Sequence, residues 1–104
     1  MVVDTGIHAK RWTREQGVDF FVSQNGSNPA EVASEVDRYC SWPGQACGYK
    51  MGHTEIVRQR AKAQAALGAR YDMRDFNQAV VDGGNVPLNV LGENIDRFIA
   101  TTLA

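Results

Sequence analysis

Nothing in the chain approaches the roughly 18 consecutive apolar residues that a membrane span requires. The opening MVVDTGIHAKRW also lacks the apolar core and cleavage site of a signal peptide. Charge of one sign is missing too: 11 Lys and Arg stand against 12 Asp and Glu, for a formal charge of −1. That balance offers no electrostatic footprint for nucleic acid or for an anionic membrane, and neither is expected as a partner. A soluble protein is expected.

Metal-ligating residues are equally scarce, with two histidines and two cysteines. Zinc hydrolysis needs three protein ligands and an open position, and its compact signature is H-E-x-x-H. His53 sits in HTEIV, which does not match, and the spacing of His8, Cys40, Cys47 and His53 fits no zinc pattern. No metal ligand and no cofactor are assigned to the chain. On one continuous helix, Cys40 and Cys47 would lie roughly 10 Å apart along the axis, too far for a disulfide. They read as buried free thiols, which mildly favour the cytoplasm.

Sustained alternation of apolar and polar residues is absent, so the periodicity predicts an all-α fold of about five helices in an irregular bundle. At 104 residues the chain supports a single domain, 1–104, with one modest core. TREQ at Thr13 to Gln16 is a capping box. NPAE at Asn28 to Glu31 places an N-cap before a first-position proline, and Val32, Val36, Tyr39 and Cys40 follow on one face. Pro43 is expected to open the longest helix, roughly 43–67, with Gly68 as its stop. Its predicted seam is Ala46, Tyr49, His53, Ile56, Arg60, Ala63 and Leu67, with Gln59 off that line. Asp72 and Asp75 open a further helix with Met73, Phe76 and Val80 inward, and Pro87 opens the last, with Leu88, Leu91, Ile95 and Phe98 on one face. The uncapped amino-terminal segment reads like the tail of a longer helix, as though the chain were cut from something larger.

Three features carry candidate chemistry. Asp4 and His8 are neighbours if helical, and the carboxylate could then hold the imidazole in one tautomer; a surface or capping contact has the same spacing. Gln45, Tyr49 and His53 are each four apart, which puts an amide, a phenol and an imidazole on one face. Tyr and His are common donors to a developing oxyanion, while a buried polar stripe gives the same pattern. Gly44, Gly48 and Gly52 recur every fourth residue at about 0.8 to 1 kcal/mol each relative to Ala in a helix interior. Close approach of another helix is expected to offset that cost.

Together, VVDTGIHAKRWTREQ, EVDRYCSWPGQACGYKMG and ALGARYDMRDFNQAVVDGGNVPLNVL resemble the carboxy-terminal part of the bacterial domain-of-unknown-function 885 family. Those largely helical proteins look like zinc metallopeptidases of the gluzincin type. The resemblance covers nearly the whole chain. It implies that H-E-x-x-H and a downstream zinc-binding Glu lie upstream of the matched segment, so that zinc belongs to a full-length relative. It implies further that His8 and Tyr49 hydrogen-bond the scissile carbonyl and the tetrahedral intermediate, that Asp4 orients His8, and that Arg38, Gln45 and Lys50 shape the substrate groove. Arg11 departs from the family's usual Gly at a helix end that prefers positive φ. Cys40, Cys47 and Gly48 stand where larger or more ordinary aliphatic residues are usual, which would loosen packing beside Tyr49.

The expected function is therefore that of the C-terminal helical portion of a zinc-dependent peptidase, inactive alone, with a peptide substrate only in the full-length context. The alternative is a free-standing helical interaction module. It would self-associate as a homo-oligomer through the partly apolar surface left by a missing N-terminal part.

Overall fold

A computed structural model describes residues 1–104. The protein is all-α, with six helices: α1 (Val2–Lys10), α2 (Arg14–Asn25), α3 (Pro29–Ser41), α4 (Gln45–Leu67), α5 (Met73–Asp82) and α6 (Leu88–Leu103). A single 3-10 turn, Gly68–Arg70, follows α4. The chain divides into two compact units, Met1–Met51 and Gly52–Ala104.

In the first unit, local chemistry sets each boundary. The Thr13 hydroxyl accepts from the Gln16 amide while the Gln16 side chain accepts from the Thr13 amide, so both bonds of the capping box form. The Asn28 side chain accepts from the Ala30 amide, with Pro29 at the first turn of α3. Val3, Val32, Val36, Tyr39 and Ala46 form the buried core, flanked by Ile7, Val18, Phe20, Phe21 and Val22. Arg14 and Asp37 tie α2 to α3 through a 2.6 Å ion pair.

Arg11 caps α1 at φ 58 and ψ 35, in the left-handed region. A side chain there costs about 1 kcal/mol or more that glycine avoids. Arg11→Gly is expected to raise stability by about 1 kcal/mol, read as a higher urea midpoint at unchanged slope.

In the second unit, the Asp72 carboxylate accepts from the Arg74 amide to start α5. Ala63, Phe76, Leu91 and Ile95 form the core, flanked by Tyr71, Ala79, Val80, Val86, Phe98 and Ile99. Lys62 and Asp96 join α4 to α6 at 2.6 Å. On α4, the Arg58 guanidinium and then the Gln59 amide hold the Glu55 carboxyl down at about 2. Because the folded value lies below the ordinary one, the stabilisation is complete above about pH 4.5 and is lost as pH falls towards 2. Glu55→Gln is expected to flatten the acid limb of stability across that window, as read by urea midpoints at stepped pH.

α4 is the longest helix and ends at Leu67, as the sequence predicts, and it begins at Gln45 because the Trp42 amide still closes α3 on the Arg38 carbonyl and Pro43 and Gly44 form a turn. Other expectations are corrected. Along the α4 seam only Ala46, Ala63 and Leu67 are buried; Tyr49, His53, Ile56 and Arg60 are exposed, and Gln59 is buried. A Cβ built at Gly48 or Gly52 would meet no atom within 4 Å, so the expected close approach is not made at these glycines. Close approach occurs elsewhere: a Cβ on Gly17 of α2 would sit 3.0 Å from Val3 and 3.4 Å from Val36. Met73 is exposed, since the α5 face that packs on α6 is set by Phe76. The two thiols are free, as expected, and lie on separate helices, but Cys40 is exposed rather than buried because the buried face of α3 ends at Tyr39.

Candidate functional site

Asp4 lies on α1 with 2% of its surface exposed, and such a carboxylate needs hydrogen-bond donors to offset its desolvation. Its donor is the Gly44 amide, 3.0 Å from one carboxylate oxygen and 3.1 Å from the other. Gly44 adopts φ +79, a conformation glycine reaches without steric penalty. It immediately precedes α4, where amides have no intrahelical acceptor and a negative charge complements the helix dipole. VDTGIH and WPGQ, forty residues apart, are thus joined by one carboxylate.

His8 lies one turn after Asp4, its Nε2 3.7 Å from Asp4 Oδ1. That is ion-pair range, but beyond a hydrogen bond. The same nitrogen is 2.8 Å from the Tyr39 carbonyl oxygen. A carbonyl only accepts, so the network assigns the hydrogen to Nε2 and leaves Nδ1 without a hydrogen bond in the chain. The backbone of α3, rather than Asp4, makes the bond to the ring.

From Tyr39 the contacts continue to α4. The Arg38 guanidinium packs over the Tyr39 ring at 5.1 Å and donates to Glu35 at 2.8 Å and to Gln45 Oε1. Since Arg has no acceptor, it fixes the amide of Gln45 with its oxygen towards Arg38 and its NH2 towards Tyr49. Gln45 Nε2 lies 3.4 Å from the Tyr49 hydroxyl. The phenol oxygen therefore accepts from Gln45, and its own proton remains available to a further acceptor. Tyr49 is 69% exposed. The Glu35 carboxylate raises the Arg38 guanidinium above its ordinary value and keeps it charged, while burial pushes the Tyr39 phenol up.

Asp4, His8, Arg38, Gln45 and Tyr49 thus belong to one run of contacts within the first unit. Lys50 follows Tyr49 on α4 and is exposed. Two participants that sequence reasoning did not find, the Tyr39 carbonyl and the Gly44 amide, are backbone groups with no side-chain signature. Glu35, three residues before Arg38 on α3, could have been read from its helical spacing. No cluster of three or more His, Cys, Asp or Glu could hold a metal ion.

Residues 1–95 match a family described as bacterial protein of unknown function, DUF885. The chain belongs to the DUF885 family. The crystal structure of a Colwellia psychrerythraea protein described as a candidate lipoprotein is 43% identical to this DUF885 chain, with a TM-score of 0.93. That likeness covers 96% of the chain and 17% of the Colwellia protein, so the chain spans under a fifth of that relative's length. No curated protein matches. No helix of this DUF885 chain is long and apolar enough to cross a membrane.

Proposed function

We propose that this chain is the C-terminal helical portion of a zinc-dependent peptidase. It supplies substrate-groove residues and donors to the transition state, while residues outside the chain hold the metal. The relay from Arg38 through Gln45 to Tyr49 carries the reading, because it leaves an exposed phenol proton uncommitted. As a peptide carbonyl becomes tetrahedral, charge develops on its oxygen, and a donor already aimed there stabilises the transition state without reorganising. Arg38 and Gln45 hold that donor, Lys50 lines the groove beside it, and His8 supplies the second polar group. The length of the Colwellia relative leaves ample chain for a metal site elsewhere. Cytoplasmic placement draws no support from a neighbour described as a candidate lipoprotein.

The test is peptide hydrolysis by the purified chain and by a full-length relative, each with added zinc. The expected result is turnover only by the longer protein, abolished by a chelator. Chelator-sensitive turnover by the chain alone, or an inert full-length relative, contradicts the proposal. The exposure of Tyr49 and Met51 around the uncovered Gly48 also supports a second reading, a self-associating helical module. Light scattering from the purified chain distinguishes them: a monomer at high concentration removes the second reading.

A further inference from the structure

We infer that Asp4 is a positioning residue for Tyr49, acting through the Gly44 amide on the first turn of α4, and is not what orients His8. The inference rests on the reading of Tyr49 as a transition-state donor. Both carboxylate oxygens of Asp4 lie within hydrogen-bond distance of the Gly44 amide. Gln45 and Tyr49 occupy the first two turns beyond that anchor, so fraying or tilting of the turn moves both groups. His8 has its own tether, the Tyr39 carbonyl at 2.8 Å, and needs none from a carboxylate 3.7 Å away.

The division has a chemical consequence. With its hydrogen on Nε2 committed to Tyr39, neutral His8 meets a substrate through Nδ1, as an acceptor. It donates to an oxyanion only after taking a second proton, whereas Tyr49 donates while neutral. The two groups are then not interchangeable, and the hydrogen bonds of Asp4 act on the α4 side of the pair.

NMR on the 15N-labelled chain tests this without any hydrolysis assay, using wild type, Asp4→Asn and Asp4→Ala. The imidazole nitrogen shifts are expected to place the His8 proton on Nε2 in the wild type and to keep it there in Asp4→Asn. The Gly44 amide is expected to lose about tenfold or more of its protection from solvent exchange in Asp4→Ala, with the amides of the first turn of α4 following and the Tyr49 ring resonances shifting, and unchanged Tyr49 resonances overturn the inference. Asp4→Asn, whose side-chain oxygen still accepts, should retain most of that protection. A His8 proton that moves to Nδ1 in Asp4→Asn overturns the inference, as does equal Gly44 protection in Asp4→Ala and wild type. Should Asp4→Ala not fold, Asp4→Asn still decides through the His8 proton and through an upfield shift of the Gly44 amide, whose absence overturns the inference. An inert full-length relative would remove the role of Tyr49 and leave these spectra unchanged, so the two failures are distinguishable.

Discussion

Gly6→Ala is expected to destabilise the protein by about 2 to 3 kcal/mol, although a Gly-to-Ala change inside a helix ordinarily gains about 0.8 to 1 kcal/mol. Gly6 sits in the middle of α1, and the Trp12 ring folds back onto it. An added Cβ would lie 2.4, 2.5 and 2.8 Å from three carbons of that ring. The ring cannot simply swing away, because it packs against Phe20 at a centroid distance of 5.5 Å and its backbone amide bonds the Gly6 carbonyl at 3.0 Å. Overpacking therefore outweighs the helical gain. Gly48→Ala is the control of opposite sign: it meets open space on an exposed face and should gain about 0.8 to 1 kcal/mol. Urea unfolding of both variants checks the pair, and a raised midpoint for Gly6→Ala contradicts the packing described.

Tyr49→Phe in a full-length protein is expected to lower kcat about 100- to 1,000-fold, the usual effect of removing one oxyanion donor. KM should stay nearly constant, since a bond made only in the transition state adds little to ground-state binding. The loss falls on one atom: the phenol oxygen accepts from Gln45, and only its proton is left for the substrate. Gln45→Leu removes the partner and keeps the hydroxyl, so it should cost less than Tyr49→Phe. A fall in kcat/KM that comes entirely from KM would instead make Tyr49 a binding residue.

Much of the fold could be read from short-range chemistry. Thr13, Asn28 and Asp72 each mark a helix start, and each side chain caps the helix that follows it, Thr13 with the expected partner. The positive φ at Arg11 agrees with the expectation that this helix end favours a glycine-like conformation. The middle of α4 could not. Tyr49 and Ile56 have the spacing of a core seam, yet Tyr49 is 69% and Ile56 38% exposed. Periodicity states which face is apolar; it does not state whether the covering element lies in the same stretch of sequence. The candidate site divides along the same line. Side chains at helical spacing, such as Gln45 with Tyr49, were found from the sequence. The backbone partners that hold Asp4 and His8 depend on φ at Gly44 and on the packing of α1 against α3, which no spacing records.

The most direct test of Tyr49 as a transition-state donor is the affinity of a full-length relative for a phosphinic peptide, a tetrahedral anionic mimic of the reacting carbonyl. Tyr49→Phe should weaken that inhibitor by about the factor by which it lowers kcat/KM, because both depend on the same proton. Equal inhibitor affinity in Tyr49→Phe and wild type would contradict the account.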